Sequence, residues 1–429
     1  MLSEVVRSVK FGLYSHESPS GFKVMSLAIQ RRRSLSIVSI LLIGVFLVEI
    51  ASQQAQRPRR VGNGTEQNNQ NNQTNKPPAG GSEEVDEGDV VRVDTQLVSV
   101  PAVVTDSSGR PLSGLKAENF RLVEDGEVQT ISNFGTTETP FEIALLLDTS
   151  GSTRDDVALI RAAANSFIQA LREGDRVSIV AFNMAKTINE PIATVEVLAP
   201  LTSDRENLRA AIENLGGSNG TPYYDALERV VDSVFREPAG EDVRGRRAVV
   251  ALTDGVDSAS NSDFATARVK LSRAGVACYF VQINTEDFVE DRLMKDCQDD
   301  GQLSLSLKQI ERYRRLFVPA AKAEDFNNFC KMGPFERMSI SRDLYNLARK
   351  EMNELARISG GRSFVAATLA DARAAFARVA ADIGTLYSLG YYPTNKARDG
   401  KFRSIKLEVK GVKDKAQIRA RDGYYAPRQ

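Results

Sequence analysis

The stretch that decides the fold is IALLLDTSGST, residues 143–153. Five apolar residues end abruptly at Asp148, and Ser150 and Ser152 then follow at every second position. Such side chains often cap helices, because their oxygens accept hydrogen bonds from the free amides of a first turn. Capping accounts for one or two of these residues and leaves the third without a role. The stretch therefore predicts a buried strand that ends in several oxygen-bearing side chains.

Apolar strands and helical stretches continue to alternate after this strand. Buried apolar strands joined by helices are typical of a mostly parallel sheet that is covered on both faces. We therefore expect a Rossmann-like, doubly wound α/β domain over residues 141–390, with a helical insertion at about 285–342, where the polar connection is unusually long. Beyond the first strand, the predicted strands are 177–182, 248–252, 276–283 and 362–365.

Both flanks of this domain have β character. In residues 89–140, Asp125-Gly126 separates two short runs, which is a hairpin signal. In residues 391–429, Ile405, Leu407 and Val409 alternate with charged residues, as in a strand with one buried face. About 50 residues at either end would make a thin core alone. The sequence favours one β-sandwich built from both flanks, and two separate β modules are the alternative.

The first 88 residues are predicted to lie outside any packed core. Residues 1–33 form a basic N-terminal region, and the apolar segment 34–52 suits a signal peptide or a membrane anchor. Residues 53–88 are rich in Gln, Asn, Gly and Pro, which predicts a disordered linker. We expect an exported protein that is periplasmic, secreted or at the cell surface. Membrane contact is expected only through the apolar segment, and the sequence leaves open whether residues 34–51 are cleaved or retained as an anchor.

Composition excludes several kinds of site. Lys plus Arg and Asp plus Glu both number 56 among 429 residues, so the net charge is zero and we expect no nucleic-acid partner. The only histidine in the sequence is His16, far from the predicted domains, which argues against a Ser-His-Asp or Cys-His catalytic site. The three cysteines have no metal-ligand spacing. Cys297 and Cys330 could form a disulfide in an oxidising compartment, and the sequence does not decide whether they do.

Oxygen-bearing side chains also follow two other parts of the predicted sheet. Asp254 lies just past Leu252, the end of the strand at 248–252, and a glycine-rich loop carries Thr221 into the start of a helix. In an open parallel sheet, ligands bind beyond the carboxyl ends of the strands, where the strand order reverses. Two carboxylates and three hydroxyls would form an oxygen-only set. Such a set suits a hard divalent cation, with Mg²⁺ expected first and Mn²⁺ or Ca²⁺ as alternatives.

These motifs, in this order and on these elements, resemble the metal-ion-dependent adhesion site of von Willebrand factor type A (VWA) domains. The resemblance covers roughly residues 140–390. It implies that a partner's Asp or Glu completes the coordination of the ion. The flanking stretches, SVPAVVTDSSGRPLSGL and YSLGYYPTNKARDG among them, resemble the VWFA-related family known chiefly from Acidobacteria. The ligands implied by the resemblance, directly or through water, are Asp148, Ser150, Ser152, Thr221 and Asp254.

Three classes of function stay open at this point. The first is an exported protein-binding module, an adhesion or scaffold protein, whose metal ion grips an acidic residue of its partner. The second is an envelope-assembly or structural protein with a vestigial metal site. The third, a metal-dependent hydrolase, lacks a separate base because the acids already serve as ligands, and we therefore expect no enzyme. Asn219-Gly220-Thr221 is a glycosylation sequon at the site, which favours a bacterial exported protein, since a glycan there would crowd the ion.

Overall fold

The computed structural model describes residues 97–151, 157–187, 191–239, 242–243, 245–295, 297, 305–412 and 416–428. The predicted N-terminal region, apolar segment and linker (1–33, 34–52 and 53–88) lie outside these residues, and so does Ser152. Within the described ranges, no helix combines the length and apolar character needed to cross a membrane.

The described residues form strands and helices in an order that separates into three parts. The strands are β1 (Val98–Thr105), β2 (Phe120–Glu124), β3 (Glu127–Gln129), β4 (Ile131–Gly135), β5 (Glu142–Leu147), β6 (Arg176–Ala185), β7 (Ile192–Thr202), β8 (Arg247–Thr253), β9 (Ala277–Ile283), β10 (Arg362–Ala366), β11 (Leu386–Tyr391), β12 (Phe402–Val409), β13 (Gln417–Ala420) and β14 (Gly423–Tyr425). The helices are α1 (Val157–Ala170), α2 (Arg205–Glu213), α3 (Tyr223–Arg229), α4 (Phe264–Ala274), α5 (Glu286–Lys295), α6 (Leu307–Phe317), α7 (Pro334–Ser359) and α8 (Ala372–Gly384).

The central sheet has the strand order β10-β9-β8-β5-β6-β7 in the described part of the chain. Its strands from β10 to β6 are parallel, and β7 pairs antiparallel with β6. Every residue of β5 is buried, and alternate side chains enter different cores: Leu145 packs toward α1 and α8, whereas Leu146 packs toward α3, α4 and α7. The predicted doubly wound, mostly parallel sheet is confirmed.

The edge strand β7 has no counterpart among the predicted strands. It carries Pro200, which lacks a backbone N–H and is tolerated in a sheet mainly at an edge. Its residues are mostly half-buried and its pairing with β6 has irregular register, so its hydrophobic pattern is weak. An antiparallel edge strand of this kind gives little signal in a sequence dominated by buried parallel strands.

The two flanks form one β-sandwich. One sheet has the order β13-β1-β11-β4 and the other β14-β12-β2-β3, and both contribute to a shared core that includes Val100, Leu122 and Leu389. Strand β11 belongs to this sandwich, so residues 386–391 lie with the flanks and not with the α/β domain, where the predicted boundary at 390 puts most of them. The single-sandwich alternative is therefore the one observed.

The predicted insertion contains α5, α6 and the beginning of α7, and the same packing continues along α7 to Ala348. These helices have their own hydrophobic cluster, to which Leu293, Ile310 and Leu344 contribute. Cys297 and Cys330 are joined by a disulfide beside this cluster. The second half of α7 packs on the central sheet, so one helix belongs both to the insertion and to the layer that covers the sheet.

Candidate metal centre

The two predicted acidic ligands lie at the carboxyl edge of the central sheet. Asp148 directly follows β5 and Asp254 directly follows β8, and these strands are parallel neighbours with Leu147 opposite Leu252. The Asp148 amide donates to the Leu252 carbonyl at 3.0 Å, which continues the pairing past the end of β5. Since the strand order reverses at β5, the two carboxylates occupy the crevice where α/β sheets bind ligands.

Asp148 is fully buried. Its Oδ1 accepts a hydrogen bond from the Ser150 amide at 3.0 Å, and its Oδ2 accepts one from the Thr253 hydroxyl at 2.6 Å. Burial, together with the nearby charge of Asp254, raises the pKa of Asp148 from 3.8 to about 7. Two buried like charges repel each other, and a cation between them would remove that repulsion.

Asp254 is held from two sides. Its Oδ1 accepts a hydrogen bond from the Val256 amide at 2.9 Å, and its Oδ2 accepts one from the Thr285 hydroxyl at 2.5 Å. The Thr285 Oγ1 lies 2.7 Å from the hydroxyl of Tyr345 on α7. The side chains of Thr285 and Tyr345 are buried, so water does not readily replace these contacts.

Backbone hydrogen bonds fasten the Thr221 loop to both strand ends. The Ser218 amide donates to the Thr149 carbonyl at 2.8 Å, beside Asp148. On the other side, the Thr221 amide donates to the Ser258 hydroxyl at 2.8 Å, and the Ser258 amide donates to the Thr221 carbonyl at 3.0 Å. The loop therefore lies against the segments that follow β5 and β8, with Thr221 itself buried.

Asp257 caps a helix beside the site. Its Oδ2 accepts a hydrogen bond from the Tyr223 amide at 2.9 Å, at the start of α3, which satisfies a free donor of the first turn. Burial raises the pKa of Asp257 to about 6. The Asp257 carboxylate is therefore used in capping α3.

The structure brings four of the five predicted ligand residues to one edge of the sheet. Ser150 and Thr221 are as deeply buried there as the two acids, and Ser152 lies outside the described residues. Sequence reasoning missed Thr253, Thr285 and Tyr345. The position of Thr285 just after β9 is a signal that could have been used, because β9 ends at the same edge. Nothing in the sequence marks Tyr345.

The donor set fits a hard divalent cation. Among the described residues there is no cluster of three or more His, Cys, Asp and Glu side chains with metal-binding geometry. Asp148 and Asp254 are the two acids among the predicted ligands, and the remaining predicted donors are neutral hydroxyls. Carboxylate and hydroxyl oxygens without nitrogen or sulfur are the chemistry preferred by Mg²⁺ and Mn²⁺.

Comparisons with known proteins agree with this fold. Residues 142–305 match the family model of the von Willebrand factor type A domain. The expected fold class is thus confirmed: this range has the VWA fold, which commonly serves as a metal-dependent module for protein interaction. No curated protein matches the chain significantly.

Several solved structures are similar to parts of the chain. A von Willebrand factor type A protein from Catenulispora acidiphila is 12% identical over 79% of this chain and 75% of its own, with a TM-score of 0.36. The SpRpn10 VWA domain is 14% identical over 34% of this chain and 76% of its own, with a TM-score of 0.27. Proximal thread matrix protein 1 from the mussel byssus, with a zinc-occupied MIDAS motif, is 14% identical over 56% of this chain and 47% of its own, with a TM-score of 0.32. At these scores the likenesses add nothing to the family match.

Proposed function

We propose that the protein is an exported, metal-ion-dependent protein-binding module, an adhesion or scaffold protein that grips an acidic residue of its partner. One observation supports this most: the carboxylates of Asp148 and Asp254 are buried together at the ends of adjacent parallel strands. A buried pair of like charges is costly unless a cation compensates it. The site therefore has the electrostatics of a cation site.

The proposed ligands are of two kinds, charged and neutral. Asp148 and Asp254 would supply the negative charge, and Ser150, Ser152 and Thr221 would supply neutral oxygens. Neutral ligands leave a divalent ion electron-poor, so the ion retains affinity for an anionic ligand from outside. An Asp or Glu side chain of a partner protein provides such a ligand. Mg²⁺ is the proposed ion, with Mn²⁺ and Ca²⁺ as alternatives.

Export rests on two independent features. The sequence has a basic region followed by the apolar segment 34–52. The disulfide between Cys297 and Cys330 suits an oxidising compartment such as a bacterial periplasm or the exterior. The flanks that resemble the Acidobacterial VWFA-related family fit the same proposal of a bacterial protein displayed outside the cytoplasm.

Calorimetric titration of Mg²⁺ and Mn²⁺ into the full chain tests the metal site. The wild-type protein is expected to bind one ion, and Asp148→Asn is expected to lose binding because one ligand charge is removed. Asp204→Asn is the matched control: Asp204 is an exposed carboxylate that caps α2, and Asn caps a helix equally well. Failure of the folded wild-type protein to bind either ion would overturn the proposal and favour a structural protein with a vestigial site.

A second experiment tests the open coordination position. Electron–nuclear double resonance on the Mn²⁺-loaded protein with ¹³C-labelled acetate is expected to show a direct carboxylate coupling, absent in Asp148→Asn. A wild-type protein that binds Mn²⁺ without any acetate coupling would contradict the recognition of an acidic partner through the ion.

A further inference from the structure

A chain of hydrogen-bonded oxygens connects the helical insertion to Asp254. The Thr285 hydroxyl donates to Asp254 Oδ2 at 2.5 Å and lies 2.7 Å from the Tyr345 hydroxyl. A hydroxyl has one hydrogen, and that of Thr285 is used on Asp254. Tyr345 must therefore donate to Thr285. The direction of every bond in the chain is fixed, and it runs from α7 to the proposed ligand.

Helix α7 also packs directly against the backbone beside Asp254. Gly255 has a φ of +72°, and a Cβ at this position would lie 2.8 Å from the Sδ and Cε atoms of Met352. The next residue, Val256, belongs to the hydrophobic cluster of the insertion. The segment that carries Asp254 is thus packed against α7 at Gly255 and against the cluster of the insertion at Val256.

The start of α6 holds the following loop, residues 258–261. The Ser306 hydroxyl donates to the Ser258 carbonyl at 2.8 Å. The Lys308 ammonium donates to the carbonyls of Ala259 and Ser260 at 2.8 and 2.9 Å. Since Ser258 in turn pairs with the backbone of Thr221, the insertion supports a second proposed ligand through this loop.

A partly buried ion pair links the insertion to the helix that follows Thr221. Arg312 of α6 donates to both carboxylate oxygens of Glu351 on α7, at 2.8 and 2.7 Å. The Tyr224 hydroxyl of α3 donates to Glu351 Oε2 at 2.6 Å, and the Arg312 guanidinium lies over the Tyr224 ring, 4.7 Å from its centroid. These contacts join α3, α6 and α7 into one unit behind the site.

We infer that the inserted helices position the metal site, with Thr285 and Tyr345 as the positioning residues that fix the Asp254 carboxylate. This inference rests on the proposed function. Removing a hydrogen bond to a charged group weakens the arrangement that the bond holds. Without the hydrogen bonds from Tyr345 and Thr285, the Asp254 side chain is free to rotate. The affinity for the metal ion then falls, although every ligand residue is still present.

The test compares Mn²⁺ affinity, measured by calorimetry, in variants that differ by one hydroxyl. Thr285→Val and Tyr345→Phe are expected to raise the Kd about three- to tenfold, with the larger effect for Thr285→Val, which loses the direct bond. Thr285→Ser retains a hydroxyl and is expected to bind as the wild-type protein does. Tyr313→Phe is the matched control. It removes a hydroxyl from α6 of the same insertion that takes no part in the hydrogen bonds from Tyr345 through Thr285 to Asp254.

The double variant Thr285→Val with Tyr345→Phe guards against misfolding, because removing both partners leaves no buried hydroxyl unpaired. Each variant is measured well below its thermal midpoint, so that lower stability alone does not change the Kd. Unchanged Mn²⁺ affinity in a folded double variant would overturn the inference, provided that the wild-type protein binds and Asp148→Asn does not. Absence of binding by the wild-type protein would instead overturn the proposed function.

Discussion

Asp148 is fully buried and lies near a second carboxylate, and both conditions destabilise its ionised form. Hydrogen bonds from the Ser150 amide and the Thr253 hydroxyl stabilise the ionised form. Burial and Asp254 act in the opposite direction and prevail, since the pKa rises to about 7. The protonation state of Asp148 therefore links stability to pH and to metal.

We predict that the metal-free protein loses stability as the pH rises toward 7. The folded-state pKa of Asp148, about 7, is above its ordinary value of 3.8, so the folded chain holds a proton that the unfolded chain has released. That contribution is fully present below about pH 4 and is lost as the pH rises through 7; it is on the order of 1–4 kcal/mol in the free energy of unfolding. Thermal unfolding in EDTA between pH 5 and 8 measures it.

Asp148→Asn is expected to show a smaller slope over the same pH range, because the titrating group is gone. Asp257, whose pKa is about 6, retains its own share of the slope in both proteins. Saturating Mg²⁺ is expected to restore wild-type stability at pH 8, since a ligand bound only by the folded state stabilises it. Equal slopes for the two proteins in EDTA would contradict the assigned role of Asp148.

Single residues also show how far sequence reasoning reaches. Asp148 and Asp254 were predictable because each stands directly after an apolar strand, and parallel strands end at one edge. Tyr345 was not, because its partner Thr285 is 60 positions away and only the packing of α7 brings them together. Contacts made through an insertion depend on how that insertion folds back, which local pattern does not encode.

At the scale of elements, the insertion is held by a disulfide and a small hydrophobic cluster. Its helices α5 and α6 are short and polar, with few buried side chains each. Helix α7 is longer and runs on to Ser359, past the predicted end of the insertion near 342, because its second half covers β9 and β10. The periodicity of a continuous helix gives no sign of where the packing partner changes.

We predict that the double variant Cys297→Ser with Cys330→Ser lowers the free energy of unfolding by about 3–4 kcal/mol. The reason is that the disulfide closes a loop across a sequence separation of 33 and so reduces the conformational entropy of the unfolded chain. Thermal unfolding of the double variant and of the wild-type protein, each with and without reductant, measures the effect. Reductant is expected to bring the wild-type protein down to the variant and to leave the variant unchanged.

An unfolding midpoint that is the same for the oxidised wild-type protein and the double variant would contradict this account. It would mean that the hydrophobic cluster alone, with Leu293, Ile310 and Leu344, keeps the insertion in place.

At the scale of the whole molecule, the sandwich requires both ends of the folded region. Strand β12 pairs with β2 from Ile405 opposite Glu124 to Val409 opposite Phe120, and β13 pairs with β1. Buried Glu124 accepts hydrogen bonds from the hydroxyls of Tyr391 and Tyr424, at 2.5 and 3.1 Å, so residues far apart in sequence share one polar contact in the core. The β patterns at the two ends of the sequence predicted that the flanks pair. That β11 belongs to the sandwich, and not to the α/β domain, is known only from its pairing with β1 and β4.

We predict that deleting residues 397–429 unfolds the sandwich, because both sheets lose strands and the shared core is exposed. Near-ultraviolet circular dichroism of the buried tyrosines, among them Tyr387 and Tyr391, is expected to lose its fine structure. Deletion of residue 429 alone is the control and is expected to leave the spectrum unchanged. A native-like spectrum for the longer deletion would show that the protein folds without β12, β13 and β14.

The pairing of β4 with β11 has a mechanical consequence. The chain enters the α/β domain after β4 and returns through β11, and these strands lie side by side, with Gly135 opposite Ser388 and Phe134 opposite Leu389. Tension applied between residues 98 and 425 is therefore carried first by the strands of the sandwich. As long as β4 and β11 stay paired, the two covalent connections into the domain that contains the candidate metal centre carry no tension. Force reaches that domain only through packing contacts, such as the hydrogen bond from the Arg273 guanidinium of α4 to the Ala426 carbonyl after β14.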